Sequence, residues 1–482
     1  MSPRSVWRAQ PRASRAALLV ALVISSACGA AARSSPINCA NSTYTWSEIE
    51  NGFGDRVSFN RNGGILGVHS QGNTTNRSGA YVLQYGGKDC EYKTPPIKLE
   101  PPAGVNASAV EFGSSITVDA TGKTVLVITD EQRLPVAASN MVNLGFVYAA
   151  DGAPTSKTLN YSLSATISVE IIVDPLAFGD GNWTELEIND ATGAISDNGK
   201  IIVIAYMLAL YRPNETDPTP GEMIAKDLPG AAIVLEAKKA GGPYEQIALL
   251  SAPDPLVEKG TFGRDLALSG DGKTIALSED NATSVYIYKR STKDPAVFPL
   301  YQVLTDVIPV GGQVEDLALD KTGKVLAQFY ALPDPEPAPA AVPDPENPDT
   351  GAIIMWVLKP GTPASNKTFV KSCQTENLPV DADGLDMAFI AGYQRVGVGF
   401  ASYGMQIWDY KLSDLKKDPP VCPGKPATEI KPQQIFPEIQ DFAEAISLSS
   451  DGKTAVLGFE VENMLVFQSL KPPAYYIREQ QA

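Results

Sequence analysis

The stretch FGRDLALSGDGK, running from Phe262 to Lys273, is followed by TIALSE and SVYIYKR, and the same pattern returns along most of the chain. Asp265-Leu266-Ala267-Leu268 alternates small or polar with apolar residues, the period of a strand. Asp271-Gly272 offers the positive φ angles of a tight hairpin turn, and Thr274–Leu277 returns as a second strand. A β-branched and aromatic run, Val285–Tyr288, gives a third strand, and Tyr301–Leu304 a weaker fourth. One four-stranded antiparallel sheet of this kind cannot bury both of its faces. Several stacked radially can, and that is a β-propeller.

Working outward, FAEAISLSSDGK begins at Phe442 and QVEDLALDKTGK at Gln313. FGDRVSFNRNGG begins at Phe53, FGSSITVDATGK at Phe112 and NDATGAISDNGK at Asn189, while DGLDMAFIAGYQ from Asp383 is a degenerate copy. Six copies place a glycine ten residues after their start: Gly63, Gly122, Gly199, Gly272, Gly323 and Gly452. The degenerate copy has Tyr393 there, just after Gly392. Starts at 53, 112, 189, 262, 313, 383 and 442 predict an all-β, seven-bladed propeller of four-stranded antiparallel blades. An eight-bladed ring or two smaller β domains stay open as alternatives. The last unit lacks an evident fourth strand, so the N-terminal strand TYTWSEI (Thr43–Ile49) is expected to complete it and close the ring.

The FG start, the alternating strand, the Asp-Gly turn and the later VY-type strand resemble FG-GAP repeats of integrin-type propellers. They equally resemble degenerate WD-repeat units, whose inner strands often read x-D-L-A-x-S-x-D-G. The resemblance covers nearly all of the chain after residue 32 and implies a propeller fold more than a function. It has departures. FG opens a unit only at Phe53-Gly54, Phe112-Gly113 and Phe262-Gly263, and the one WD dipeptide is Trp408-Asp409. No unit carries the D-x-D-x-D-G calcium loop of integrin-type blades; Asp381-Ala382-Asp383-Gly384-Leu385-Asp386 is one residue short of it. No cofactor is expected, and calcium is the only candidate.

Composition narrows the class further. At 44% hydrophobic and 20% charged the chain is a folded one, and 40 glycines with 38 prolines are too many for a helical bundle. The net charge of −16 is a poor match to a phosphate backbone, so no nucleic-acid partner is expected. His69 is the only histidine, which leaves little room for histidine-ligated zinc or a Ser-His-Asp centre.

Arg4, Arg8, Arg12 and Arg15 precede the apolar run Ala16–Ile24 and small residues through Ala32, the layout of a secretory signal peptide over residues 1–32. A signal anchor and a bacterial lipoprotein, lipidated at Cys28, are the other readings. Residues 33–482 then form one propeller domain with no transmembrane anchor, and removing the leader's four arginines takes the charge from −16 to −20. Cys39, Cys90, Cys373 and Cys422 remain, an even number, as a disulfide framework requires. Proximity pairs Cys39 with Cys90 and Cys373 with Cys422; the other two connectivities stay open. Nine Asn-X-Ser/Thr sequons, at Asn41, Asn73, Asn76, Asn106, Asn160, Asn182, Asn214, Asn281 and Asn366, point to a secreted glycoprotein. On the blade plan Asn73, Asn76, Asn106, Asn182, Asn214 and Asn281 share one face, and Asn160 and Asn366 map to the other.

The chemistry-bearing candidates are few. Asp265, Asp316 and Asp386 occupy one repeat position in three consecutive units, where inner strands line a central channel. They are candidates for a cation or polar ligand; the plainer reading is local hydrogen bonding at the entry to each strand. Residues 331–350 (ALPDPEPAPAAVPDPENPDT) are acidic and proline-rich, an insertion between the second and third strands of blade five and a candidate docking arm for a basic partner. Lys238-Lys239 and Lys416-Lys417 read as isolated doublets. These features favour a secreted binding or scaffold module for an extracellular protein or glycan. The alternative from another class is a propeller hydrolase of lactonase, phosphatase or glycosidase type, with an acidic and calcium-assisted channel.

Overall fold

The computed structural model describes residues 21–23, 42–44, 53–61, 63–70, 79–84, 95–105, 111–130, 132–136, 140–153, 159–171, 183–213, 223–253, 262–279, 284–305, 313–331, 350–360, 367–379, 382–390, 392–400, 404–430, 445–449, 452, 454–458 and 465–469. Two short strands come first, β1 (Ala21–Val23) and β2 (Ser42–Tyr44). Blade one is β3 (Phe53–Phe59), β4 (Ile65–Ser70), β5 (Gly79–Gln84) and β6 (Ile97–Leu99). Blade two is β7 (Ile116–Val118), β8 (Thr124–Ile128), β10 (Asn140–Ala150) and β11 (Tyr161–Ile171); between its second and third strands the chain makes β9 (Gln132–Pro135). Blade three is β12 (Glu185–Ile195), β13 (Ile201–Pro213), β14 (Met223–Ala237) and β15 (Tyr244–Ser251), and β9 joins it as a fifth strand beside β12.

Blade four is β16 (Phe262–Leu268), β17 (Thr274–Glu279), β18 (Val285–Lys289) and β19 (Leu300–Leu304). Blade five is β20 (Gln313–Leu319), β21 (Val325–Ala331), β22 (Thr350–Pro360) and β23 (Lys367–Pro379). Blade six is β24 (Ala382–Ile390), β25 (Tyr393–Phe400), β26 (Gly404–Lys411), the one-turn helix α1 (Leu412–Leu415) and β27 (Thr428–Ile430).

The ring therefore holds six blades of four antiparallel strands, and the expectation of seven is overturned. The last repeat supplies only β28 (Ala445–Leu448), β29 (Thr454–Gly458) and β30 (Leu465–Ser469), in antiparallel order. The strand beside β30 is β1, which runs parallel to it through the pair Leu22 and Val466. The segment expected to close the ring enters this sheet only as β2, on its outer edge, with Thr43 opposite Leu22. An apolar triplet, Ala-Leu-Val, takes the place that the sequence reading gave to TYTWSEI.

Six hairpins between first and second strands share one geometry. In blade four Ser269 N–H donates to the Thr274 carbonyl and Gly272 N–H to the Ser269 carbonyl. The same pair of bonds recurs from Asn60, Asp119, Ser196, Asp320 and Ser449. Only the glycine takes positive φ, +69° at Gly272, so the turn is a four-residue loop rather than the two-residue Asp-Gly turn expected. The side chain at the loop base finishes the job: Ser269 Oγ accepts from Thr274 N–H and Asp320 Oδ1 from Val325 N–H. The degenerate unit solves the turn differently. Ile390 pairs directly with Tyr393, leaving a two-residue connection with Gly392 at φ +93°.

Apolar side chains cluster between neighbouring blades rather than in one central core. Leu126, Leu144, Ile204 and Ile233 join blades two and three; Val203, Phe262, Ile275 and Leu277 join three and four. Met355, Val357, Val396 and Trp408 join five and six. Full burial of each such side chain stabilises by roughly 1.5–3 kcal/mol. Gly63, Gly122, Gly199, Gly272 and Gly323 also sit against the base of the preceding hairpin. A Cβ on Gly272 would lie 2.8 Å from Ile201 Cγ1, whereas one on Gly392 would meet nothing within 4 Å. Gly392→Ala should therefore lose only what a left-handed alanine costs, about 1–2 kcal/mol. Gly272→Ala should lose clearly more in urea unfolding, and equal losses would show that the close approach between blades contributes nothing.

Candidate functional site

The three inner-strand aspartates sit on β16, β20 and β24, in blades four, five and six. Each reaches sideways across a blade junction. Asp316 Oδ1 accepts from its own neighbour Leu317 N–H at 2.7 Å, and Oδ2 from Leu385 N–H of blade six at 2.5 Å. Asp386 repeats this on Met387 N–H at 2.6 Å and Leu448 N–H at 2.6 Å, and Ser447 Oγ donates to the same Oδ2 at 3.1 Å. Asp265 also accepts from the N–H groups of Leu266 and Leu317. Where a blade lacks the aspartate, a hydroxyl stitches the junction. Ser58 Oγ accepts from Val118 N–H, Ser447 Oγ from Phe59 N–H, and Thr117 Oγ1 donates to the Gly193 carbonyl. Local hydrogen bonding was the plainer reading, and the bonds extend to the next blade.

The structure brings two of the three together. Asp265 and Asp316 interact directly, and Asp265 Oδ2 is a buried oxygen with no hydrogen-bond donor on it. Burial pushes Asp265 up to about 6, against the opposing pull of the Leu266 N–H. Burial, and then the charge of Asp265, drives Asp316 well above the carboxylate range. A proton shared between facing carboxyls is the physical consequence, since two like charges there cannot both be held. Asp386 is raised to about 6, mainly by burial, with Leu448, Met387 and Ser447 as its partners. Beside the pair, Arg264 of β16 and Glu315 of β20 form an ion pair at 3.1 Å. These two precede the aspartates by one residue in consecutive units, an opposite-charge match that aligning the repeats would have exposed.

Of the calcium candidate Asp381–Asp386, Asp381 lies outside the described residues. Asp386 spends both oxygens on N–H and O–H donors, and calcium requires six to eight oxygen ligands. Among the described residues no three His, Cys, Asp or Glu side chains are placed to hold a metal ion. The WD dipeptide has a separate structural role: Asp409 of β26 receives a bidentate bond from Arg395 of β25, both contacts at 2.7 Å. Arg395 is 1% exposed and also donates to the Gly452 carbonyl of the next turn. Sequence reading passed over Arg395, whose place just before the apolar run Val396–Phe400 was its one signal.

Cys373 of β23 and Cys422, in the connection after α1, form a disulfide with Cα atoms 5.6 Å apart. It ties blade five to blade six, alongside a hydrogen bond from Ser372 Oγ to the Leu415 carbonyl and one between Thr375 and Tyr410 hydroxyls. Cys39 and Cys90 lie outside the described residues. So do the sequons Asn41, Asn73, Asn76, Asn106, Asn182, Asn214, Asn281 and Asn366; Asn160 is exposed. His69 is buried in β4, where a Cβ on Gly113 would come within 2.7 Å of its ring. That glycine belongs to an FG start, and its φ of +103° and this close approach explain why glycine stands there. Residues 332–349 connect β21 to β22. No helix of the described residues is long and apolar enough to cross a membrane.

No family model matches the chain, and no curated protein matches it. Among solved structures, hydrazine synthase of Kuenenia stuttgartiensis is similar over 87% of this chain and 96% of its own, at 13% identity and a TM-score of 0.47. The Cps50 (Swd1) β-propeller domain of Myceliophteria thermophila covers 88% and 98%, at 8% identity and 0.46. Sqt1 of Chaetomium thermophilum, bound to the N-terminus of ribosomal protein L10, covers 87% and 97%, at 11% identity and 0.44. These overlaps are loose, and the propeller fold rests on the strand pairing described above.

The raised carboxyls make a signed prediction. A folded-state value above the ordinary one stabilises fully below about pH 4, and that stabilisation is lost as pH rises through about 6. Asp265→Asn puts an amide donor opposite Asp316 in place of the shared proton. Thermal melts at pH 5.5 and 7.5 should differ less for this variant than for the parent, with the variant gaining at pH 7.5. An unchanged difference would mean that the pair does not share a proton.

Proposed function

We propose that this chain is a secreted, N-glycosylated β-propeller that acts as a non-catalytic binding or scaffold module for an extracellular protein or glycan. The observation that carries this reading is the commitment of the inner-strand carboxyls to the blade junctions. Asp316 and Asp386 each hold the backbone N–H of the next blade, so the residues with most catalytic potential are engaged in holding the ring together. The Cys373–Cys422 bond and nine sequons support the compartment, as does the leader-like layout of residues 1–32. Cleavage there would, however, remove β1 and leave β2 without the strand it pairs with beside β30. The sequons Asn73, Asn76, Asn214 and Asn281 fall in connections between second and third strands, and Asn106 and Asn182 in connections between blades. Both kinds leave the same face, so broad docking belongs to the opposite face or the rim.

The hydrolase alternative has one observation in its favour, the facing Asp265–Asp316 pair. Peptide mapping after glycosidase treatment of the protein secreted by eukaryotic cells is expected to find converted asparagine at most of these six positions. Unmodified asparagine at all six would remove the docking argument. Assays on lactones, phosphate esters and glycosides should show no turnover. Turnover that disappears in Asp265→Asn would overturn the non-catalytic reading.

A further inference from the structure

The turns between first and second strands touch one another around the ring. Arg61 N–H donates to the Ala120 carbonyl, Asp197 N–H to that of Gly270, and Asp271 N–H to that of Lys321. These turns therefore share one face, and antiparallel pairing puts the connections between third and fourth strands on it too. The connections between second and third strands, and between blades, leave the other face. The sequence divides sharply along this line. Connections of the first face carry 17 Lys and Arg against 11 Asp and Glu; those of the second carry 4 against 24. A net charge of −16 thus hides a basic face and a strongly acidic one.

The basic face is built from repeat positions. Lys123, Lys200, Lys273 and Lys324 each follow a turn glycine and are exposed. The Lys238-Lys239 and Lys416-Lys417 doublets, isolated along the chain, lie in third-to-fourth connections and join them. Part of the acid on this face is turned inward: Asp119 and Asp320 are buried, with carboxylates taken up by Lys123 and Lys324 N–H groups. Its arginines are already used, Arg61 on Asp197 and Arg290 on Glu236. Lys273 and Lys417 pair with Asp271 and Asp414. What the face offers besides is dispersed lysine charge, suited to a flexible acidic chain rather than to bidentate capture of one anion.

The protein carries such a chain on its opposite face. Residues 332–349 hold five acids and no base, and leave the ring between Ala331 and Gly351, which are paired across β21 and β22. With both ends fixed together, 18 residues reach at most about 30 Å from the ring. Lys324, on the lysine face of the same blade, lies at the far end of the seven-residue β21, about 23 Å from Ala331 along that strand. The strands of the blade stand between Ala331 and that lysine, whereas the basic face of a ring stacked above is open to the segment. We propose that the lysine face is a docking surface for residues 332–349 of a second copy of this chain, giving a salt-sensitive, head-to-tail association. This goes beyond the binding-module reading and does not depend on it. Since six sequons share the face that residues 332–349 leave, the association is one of the chain without glycans there, and it is tested with unglycosylated protein.

Sedimentation of the full chain at tens of micromolar tests the proposal. Association is expected in about 20 mM salt, weakening at least about tenfold by 300 mM as screening shortens. Two variants isolate the surfaces. One replaces Asp334, Glu336, Asp344, Glu346 and Asp349 by their amides; the other combines Lys200→Glu, Lys273→Glu and Lys324→Glu. Each alone should sediment as a monomer with an unchanged circular dichroism melt. Mixed, they should form a heterodimer, because one keeps the arm and the other keeps the lysine face. A parent that stays monomeric in low salt, an amide variant that associates as the parent does, or a mixture that fails to pair would each overturn it.

Discussion

The second strand of each blade is largely buried on both sides, and the architecture depends on that constraint. β4 and β17 are buried at every position, and so is β8. A strand of this kind needs a sheet against each face, so no blade can exist with one neighbour. Stacking blades only postpones the problem to the two ends, and a ring removes the ends. The price of closure is a crowded centre, where inner strands converge and backbone groups of one blade meet those of the next. Glycine at the turn and a polar side chain on the inner strand are two answers to the same crowding. Gly272 lets one hairpin lie against another, and Asp316 satisfies an N–H group that β24 presents at the junction.

An aspartate that bridges two blades is half-buried, and the desolvation of its carboxyl at the junction raises its affinity for a proton. The pair Asp265 and Asp316 follows from placing the same solution on adjacent blades, one carboxyl facing the next. A hydroxyl does the same stitching elsewhere, at Ser58 and Ser447, without a charge to hold. Titration of the carboxyl pair is thus a by-product of ring assembly.

What could be read from the chain was whatever is local. The turn glycines, the alternation in β16 and the boundaries of β17 and β18 follow from residues within a dozen positions of one another. Pairings set by the ends of the ring were not legible. Nothing around Ala21 marks it as a neighbour of Val466, and the strand TYTWSEI was an equally reasonable partner. β9 was missed for a related reason: Gln132–Pro135 is a short polar run whose strand character comes from β12, its neighbour in another blade. The aspartates were found because they repeat. Their bridging role was invisible, because each bond ends on a backbone N–H about 60–70 positions away.

Charge shows how much a linear reading can conceal. The lysines that follow five of the turn glycines and the acids of the longer connections alternate along the sequence, so any window through them looks mixed. Antiparallel pairing sorts them, since every second connection leaves the same face. A blade repeat that places Gly-Lys at its first turn must gather those lysines around one mouth of the channel. An acidic segment inserted one connection later must emerge from the other mouth. The segregation needs no long-range design beyond the repeat itself. It makes the disc electrically two-faced from a chain whose composition is simply acidic, and two-faced discs attract one another in one orientation only.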